Sequence, residues 1–310
     1  MWLGSRRLIL GAALASSVGL DAAVPARPVT LTKAAAAQRV VVAIQKDRAE
    51  TNAWLRSDPT SYLATVDRRD FGDKKAMTVG RAADNDVPID ADGVAAHHLL
   101  ATVDGDRFRV TAIDPEARFA VKDTPLREAT LDPSYIRVGR FTLLLSHQRF
   151  PAIIVFDPTS PRFKEYKPLQ FFDVNLAYRY ELPLTANPAP ETVIIMSTIG
   201  SQRRAQRVGW FDFVVGETAY RLEATRLLEP GVGEHDLTVL FRDATSGHET
   251  YALGRYVDPV RLPDGRYLLD FNAAYNPACA FSTHYNCPIP PKSNTLAVAI
   301  RAGEMDSDYH

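Results

Sequence analysis

The stretch Asp270–Glu304 constrains this chain more than any other, because its composition fits neither a regular helix nor a regular strand. It reads DFNAAYNPACAFSTHYNCPIPPKSNTLAVAIRAGE and holds both cysteines of the 310-residue chain. Its prolines remove backbone donors and fix φ, and its aromatic side chains are too apolar for a solvated tail. We therefore predict an ordered, irregular, proline-rich loop between strands at Tyr267–Asp270 and Leu296–Arg301. Loops of this length in compact domains usually have a function. We call residues 270–304 the signature segment.

Several segments, taken in chain order, resemble one family. They are the helical region around Arg48–Leu55, FDPTSPRFKEY at 156–166, FRDATSGHETYALGRY at 241–256, and the signature segment with its CPIPP, Asn294 and IRAGE. Together they resemble the domain-of-unknown-function family 1684 across residues 40–304. Because that family is uncharacterised, the resemblance implies a shared fold, and function has to be argued from the residues.

The first 26 residues are typical of an export signal. Arg6 and Arg7 precede an apolar run, Leu8–Leu20, that is too short to span a membrane as a helix. Small residues at 24–26 suit the cleavage position. We predict a signal peptide at 1–26 and an exported protein, periplasmic or extracellular. The paired arginines fit twin-arginine export and also general secretory export, and both remain open.

Composition narrows the possible partners. The chain is 46% hydrophobic and 24% charged, with a net charge of −1, which suits one large or two modest cores. Nucleic-acid binding would need a basic excess, so we expect none. After the predicted cleavage site no apolar run is long enough for a membrane span, so we expect no span in the mature protein.

The rest of the chain divides into predicted segments. Residues 27–37 are predicted to be a tether, and residues 38–57 a helix whose apolar side chains recur every three or four positions. Residues 58–157 and 158–304 are predicted to be two β-domains separated by the proline-rich run that begins at 158. The fold class is therefore mostly β, with one N-terminal helix.

The first β-domain carries a motif. Gly80-Arg81, Asn85 and His98 among short predicted strands resemble a forkhead-associated (FHA) β-sandwich. In that family, the arginine and a serine three residues before the histidine bind phosphothreonine. Arg81 and His98 match this pattern, but the serine position is Ala95. The missing hydroxyl removes a phosphate donor, so we interpret the domain as a scaffold and do not expect phosphopeptide binding.

The second β-domain shows strands at short intervals without intervening helices, which favours an antiparallel sandwich or barrel. We predict that Tyr251–Tyr256 pairs with Tyr267–Phe271 across a turn at Asp264-Gly265. The basic run GSQRR at 200–204 is interpreted as a solvated turn.

Polar side chains gather around this predicted pairing. A carboxylate beside an arginine is what an acid/base or anion-binding site needs. The candidate catalytic residues are Asp270 and Glu249 as bases and Arg255 as an anion clamp. The candidate ligand-binding residues are Tyr251, Arg255, Asp270, Asn272, Tyr275 and Asn276. The same groups can also cap backbone amides and fix the loop, and this alternative remains open.

The two cysteines, Cys279 and Cys287, lie close together in sequence. Predicted export to an oxidising compartment favours a disulfide, which would stabilise the fold by about 2.5 kcal/mol. Two alternatives remain: a metal site shared with His284 or Asp270, and a nucleophilic Cys279. We predict the disulfide and no metal, and the sequence specifies no cofactor.

Three classes of function follow. The first is a binding protein that holds a small ligand in a cavity covered by residues 271–295. The second is a hydrolase-like enzyme, which requires Glu249 or Asp270 to be partly exposed and to have a raised pKa. The third is a structural envelope protein, which requires an exposed apolar patch.

Overall fold

The computed structural model describes residues 33–148 and 150–309. The predicted signal peptide lies outside the described residues, as do residues 27–32 of the predicted tether. Helix α1 spans Lys33–Ser57. The prediction that residues 33–37 belong to the tether is therefore wrong, because they form the first turns of this helix. They contain four consecutive alanines, and alanine is the strongest helix former. Among the described residues no helix has the length and apolarity needed to cross a membrane.

Two sheets build the first half of the chain, which we call the N-terminal sandwich. Its strands are β1 (Thr65–Asp70), β2 (Ala76–Gly80), β3 (Val87–Pro88), β4 (Leu99–Asp104), β5 (Arg107–Ala112), β6 (Phe119–Val121), β7 (Thr124–Leu126), β8 (Glu128–Leu131), β9 (Ser134–Val138), β10 (Phe141–Gln148) and β11 (Phe150–Phe156). The six-stranded sheet has the order β1-β11-β10-β9-β6-β7, and the five-stranded sheet has the order β3-β2-β4-β5-β8. The predicted β-sandwich is confirmed.

Alternation of side chains explains why these strands form two packed layers. On β5, Phe108 and Val110 are buried, whereas Arg107 and Arg109 are exposed. Each strand thus has one face toward the core and one toward solvent. The buried faces of the two sheets meet in a single apolar core that includes Phe108 and Leu143.

The second half forms smaller sheets, which together we call the C-terminal domain. Its strands are β12 (Arg179–Leu182), β13 (Thr185–Ala186), β14 (Thr192–Met196), β15 (Gln202–Val215), β16 (Thr218–Leu227), β17 (Val239–Phe241), β18 (Arg255–Val257), β19 (Val260–Arg261) and β20 (Tyr267–Asp270). The sheets have the orders β13-β15-β14 with β16 also on β15, β12-β20-β19, and β17-β18. Phe211, Phe241 and Phe271 lie in their shared core.

Two predictions about strands in this domain are wrong. Tyr251–Tyr256 does not pair with Tyr267–Phe271: β18 pairs with β17, and β20 pairs with β12 and β19. Pro259 explains the break, because it has no backbone donor to continue a ladder. Nor is Leu296–Arg301 a strand. Its backbone makes single hydrogen bonds instead of a continuous ladder; for example, Leu296 N donates to Arg242 O at 2.8 Å.

The signature segment is an ordered, irregular loop, as predicted. It contains short 3-10 helices at Phe271–Ala273, Ala278–Ala280 and Lys292–Asn294. Its side chains Phe281 and Tyr285 are buried and pack with residues of α1 and the N-terminal sandwich. We call this apolar cluster the junction core; it includes Leu55, Tyr62, Phe156, Leu169, Tyr251, Ala280, Phe281 and Tyr285.

Candidate functional site

Arg255, the predicted anion clamp, is 1% exposed and fixes the end of the signature segment. Its guanidinium donates to the carbonyl oxygens of Ala302 at 2.5 Å and Ile300 at 2.8 Å. It also forms an ion pair of 2.9 Å with Asp243, whose side chain is fully buried. Because Nη1 and Nη2 already bond to protein oxygens, Arg255 acts as a structural clamp.

Asp270, the first candidate base, lies in a similar network. Its carboxylate bonds to Arg179 Nη1 at 2.5 Å and accepts from Asn272 N at 3.0 Å. Asn272 in turn donates through Nδ2 to Asn175 O and accepts through Oδ1 from Asn175 N. Asp270 therefore caps the 3-10 helix that follows β20, which is the backbone-capping alternative left open by the sequence.

Glu249, the second candidate base, forms an ion pair with Arg301 at 2.9 Å. The hydrogen bond from Arg301 lowers the pKa of the Glu249 carboxyl group below its usual value. A general base at neutral pH needs a raised pKa. Glu249 thus lacks the property that the hydrolase hypothesis required of it.

The remaining predicted ligand-binding residues are also bonded to the protein. Asn276 is held by the protein through its donors: its N donates to Glu304 at 2.8 Å and its Nδ2 donates to Met305 O at 2.7 Å, whereas its Oδ1 is buried without a partner among the described residues. The Tyr251 hydroxyl lies 3.7 Å from Cys279 Sγ. Both fasten the signature segment to its surroundings.

The predicted disulfide is wrong, because Cys279 and Cys287 are free thiols. The 3-10 helix at Ala278–Ala280 directs the backbone N–H of Cys279 onto Cys287 Sγ, at 3.2 Å. Hydrogen bonds from Cys287 and Tyr251 lower the pKa of the Cys279 thiol, whereas burial raises that of Cys287. Within residues 33–148 and 150–309, no group of three His, Cys, Asp or Glu side chains is arranged to hold a metal ion.

Asp258 is a chemically unusual residue that sequence reasoning missed. Its Oδ2 accepts a hydrogen bond of 3.0 Å from the Tyr275 hydroxyl, and its Oδ1 is buried without a partner. Burial raises the pKa of this carboxyl group from 3.8 to about 7. The sequence could have indicated it, because Asp258 stands between the apolar end of β18 and Pro259, and proline has no backbone N–H to donate to a carboxylate.

The cavity beneath the signature segment is small, with a volume of about 40 Å³. It is lined by side chains of both halves, including Tyr62, Ile154, Tyr256, Tyr275, Tyr285 and Cys287. The lining phenols bond to protein: Tyr285 OH to Thr65 at 2.5 Å, and Tyr256 OH to Pro288 O. The space suffices for a few waters and is far below the roughly 300–1,000 Å³ typical of small-molecule sites.

A larger cavity lies between the N-terminal sandwich and the C-terminal domain. We call it the interdomain cleft, and its volume is about 540 Å³. Its lining residues are Asp106, His147, Arg204, Arg226, Leu227, Leu228, Glu229, Pro230 and Val232. The sandwich contributes the β4–β5 turn and the end of β10, and the C-terminal domain contributes the ends of β15 and β16.

The run at 200–204, interpreted from sequence as a solvated turn, helps to build this cleft. β15 already begins at Gln202, so the two arginines alternate across a strand. Arg203 is buried and forms a bidentate pair with Glu229, at 2.5 and 2.6 Å. Arg204 points to the opposite side, is exposed, and lines the cleft.

The FHA-type residues lie elsewhere, at the loops of the N-terminal sandwich. Arg81 is exposed, and Asn85 donates to the carbonyl oxygens of Ala82 and Ala96. His98 is buried: its Nδ1 accepts from Ala95 N at 3.1 Å, and its Nε2 lies 2.8 Å from Arg118 O. His98 thus orders the loop, and Ala95 has no hydroxyl to offer a phosphate.

Residues 164–305 match the family described as "Protein of unknown function (DUF1684)". No curated protein matches the sequence. The chain is similar to an uncharacterized protein of Haloarcula marismortui whose structure was solved by NMR. The two share 35% identity over 50% of this chain and 85% of that chain, with a TM-score of 0.39.

Two further solved structures are similar to part of the chain. One comes from a structural and functional analysis of phosphothreonine-dependent FHA domain interactions, with 23% identity over 26% of this chain and 75% of that chain, and a TM-score of 0.21. The other is Mycobacterium tuberculosis EmbR in complex with a low affinity phosphopeptide, with 19% identity over 37% of this chain and 30% of that chain, and a TM-score of 0.21. The N-terminal part is a β-sandwich of a six-stranded and a five-stranded sheet.

Proposed function

The chain belongs, through residues 164–305, to the DUF1684 family of unknown function, and we propose that it binds a small molecule in the interdomain cleft. One observation carries this proposal. The cleft has a volume of about 540 Å³, which lies within the roughly 300–1,000 Å³ of known small-molecule sites. The ligand site proposed here therefore differs from the cavity under residues 271–295 that the sequence favoured.

The composition of the cleft also supports binding. Leu228, Pro230 and Val232 offer apolar surface, and Arg204 and His147 offer polar groups. Polar and charged side chains make up more than half of the lining, and placed polar groups of this kind orient a bound ligand.

The walls of the cleft are fixed before any ligand binds. The junction core packs the signature segment against both halves of the chain. One wall residue, Glu229, is held by its buried ion pair with Arg203, and Arg203 also donates to Asn286 O at 3.1 Å. A preformed site loses less conformational entropy on binding than a flexible one.

The alternative functions receive less support. A hydrolase would need a carboxylate poised as a base, but Asp270 and Glu249 are both ion-paired to arginines. A structural envelope protein would need an apolar patch, and Ile194, Met196 and Ile199 are each about half exposed near β14. Scattered exposed apolar residues are common on soluble proteins, so this feature weighs less than a cleft of ligand size.

A screen by thermal shift tests the proposal, with nucleotides, sugars, amino acids and carboxylic acids as the panel. We expect at least one compound to raise the melting temperature of the wild type, because ligand binding to the native state stabilises it. Leu228→Trp, which fills the cleft, should abolish that shift. Leu253 is equally exposed, at 37%, and lies outside the cleft lining, so Leu253→Trp should preserve it. A compound that stabilises both variants equally would contradict the proposal.

We also propose that the protein is exported. Arg6, Arg7 and the apolar run Leu8–Leu20 support this proposal. A fusion of residues 1–40 to a reporter should be exported, and retention of the reporter in the cytoplasm would contradict the proposal. Loss of export in a strain that lacks the twin-arginine pathway would separate that route from general secretion.

A further inference from the structure

Resting on the proposed function, we infer that the interdomain cleft takes an organic anion, whose phosphate or carboxylate group binds Arg204 and Arg226. The two guanidinium groups project from adjacent strands into the same cavity. Phosphate and carboxylate are the groups that arginine recognises best, through paired charge-assisted hydrogen bonds.

Strand register brings the two arginines together. Gln206 on β15 lies directly opposite Arg226 on β16. Arg204 precedes Gln206 by two positions, so it shares the same face of the strand and is the diagonal neighbour of Arg226. Diagonal neighbours across an antiparallel pair are about 7–8 Å apart, a distance that two long side chains can bridge to a single anion.

The hydrogen bonding of these arginines leaves donors available. The Arg204 guanidinium makes no hydrogen bond or ion pair with any described residue. Arg226 donates through Nη2 to Gln206 Oε1 at 2.5 Å, a neutral partner, and its Nε is buried without a partner. A buried charged donor without a partner costs free energy, which an anion in the cleft would recover.

The other arginines of the same sheet show that this situation is specific to the cleft. Arg221 pairs with Asp212 at 2.6 Å, and Arg207 pairs with Glu223 at 2.6 Å. The cleft also contains two acids, but one of them, Glu229, is neutralised by Arg203. Among the described residues, two arginines without carboxylate partners therefore face one unpaired acid, Asp106, and the cleft retains an excess of positive charge.

The remaining walls define the rest of the ligand. Beside the arginines, Leu228, Pro230 and Val232 provide apolar contacts, which suit a carbon skeleton attached to the anionic group. His147 faces the cleft from the sandwich, and its Nδ1 is buried without a partner. A hydroxyl or amide on the skeleton could bond to this nitrogen.

Titration calorimetry at low ionic strength tests the inference, with inorganic phosphate and acetate as separate probes and sodium chloride as the background salt. We expect saturable binding of at least one anion to the wild-type protein. Arg204→Gln and Arg226→Gln should each weaken it by roughly tenfold or more, since each removes charge-assisted hydrogen bonds. Arg221→Gln, which changes a paired arginine of the same sheet, should leave binding unchanged. The phosphate and acetate arms identify which of the two groups is preferred.

Three results would overturn the inference, and they separate it from the proposed function. If neither anion binds, the arginines do not form an anion site, although the cleft can still bind other compounds from the panel. If Leu228→Trp prevents binding but the arginine variants do not, the cleft binds ligands without them. If all variants bind equally, the anion binds outside the cleft, and neither proposal is supported by these probes.

Discussion

The buried carboxyl group of Asp258 should make the stability of the protein depend on pH. Its carboxyl group receives a hydrogen bond from Tyr275, and Oδ1 has no partner. Burial is the main reason that its pKa is raised to about 7; the nearby Thr238 side chain and the hydrogen bond from Tyr275 oppose the rise, and nearby Asp236 adds to it. The group is therefore largely protonated in the folded state at mildly acidic pH, where an unfolded chain would have it ionised.

This shift predicts a pH dependence of stability. Because the folded pKa lies above the unfolded one, the folded state holds the proton more tightly. The stabilisation is complete below about pH 4 and is lost as pH rises through about 7. A shift from 3.8 to about 7 corresponds to about 4 kcal/mol in the free energy of unfolding. Asp258→Asn should flatten this pH dependence and exceed the wild type in stability at pH 8.

Denaturant unfolding across the pH range from about 4 to about 8 measures this effect. Glu249→Gln is the control: the pKa of Glu249 is lowered by Arg301, so its titration lies on the acid side of this window. Stability curves of the wild type and Asp258→Asn that remain parallel would show that Asp258 does not titrate as described.

At the scale of the element, the signature segment owes its order to backbone contacts more than to regular structure. Arg255 donates hydrogen bonds to the carbonyl oxygens of Ile300, Ala302 and Glu304. Between them, Gly303 has a φ of +82° and lies against the carbonyl oxygens of Ala274 and Phe271. A side chain there would meet both oxygens while the backbone is held in a left-handed conformation.

Substitution of Gly303 by alanine should therefore be strongly destabilising. An added Cβ would lie 2.5 Å from Ala274 O and 2.7 Å from Phe271 O. We expect a loss of roughly 3 kcal/mol or more, the sum of the left-handed backbone cost and the steric clash. Gly265 has a similar φ of +86° with open space around it, so Gly265→Ala should cost only about 1–2 kcal/mol. Equal losses in chemical denaturation would contradict the packing described for Gly303.

Local patterns explain which elements could be predicted from the sequence. β5 and the segments 211–213 and 220–223 of the β15–β16 hairpin alternate apolar and polar residues, so strand type can be derived directly from the sequence. β18 has only three residues, Arg255–Val257, all of them buried. A short strand without alternation does not specify its partner, and its pairing with β17 depends on long-range packing.

The candidate site shows a different limit. The sequence predicted that acids, amides and Arg255 meet near the end of β20, through a pairing of β18 with β20 that does not form. Arg255 bonds instead to Asp243 and the end of the signature segment. Asp270 bonds to Arg179. Whether such groups bind a ligand or cap the backbone depends on which carbonyl and amide groups reach them, as Asp270 shows with Asn272 N. The interdomain cleft was missed because its two walls, at His147 and Arg204, are brought together only by the tertiary fold.

At the scale of the whole molecule, the two halves share an interior. Phe281 of the signature segment stacks on Tyr62, with ring centroids 5.0 Å apart, and Tyr285 OH bonds to Thr65 across the junction. Arg162, in the segment that connects the halves, donates to the carbonyl oxygens of Tyr62 and Phe281. A shared apolar core couples the unfolding of the parts that it joins, so the halves should unfold together.

Calorimetry can test this coupling through Phe281, which is fully buried in the junction core. We expect a single unfolding transition for the wild type, and a transition that broadens or splits for Phe281→Ala. That substitution also lowers the free energy of unfolding by roughly 3–5 kcal/mol. The control is therefore a second substitution, outside the junction core, with a similar cost in stability. Phe213→Ala empties a comparable position inside the C-terminal core and should lower the melting temperature without separating the halves. If both variants unfold in one sharp transition, the coupling does not depend on Phe281, and the fixed walls of the interdomain cleft would need another explanation.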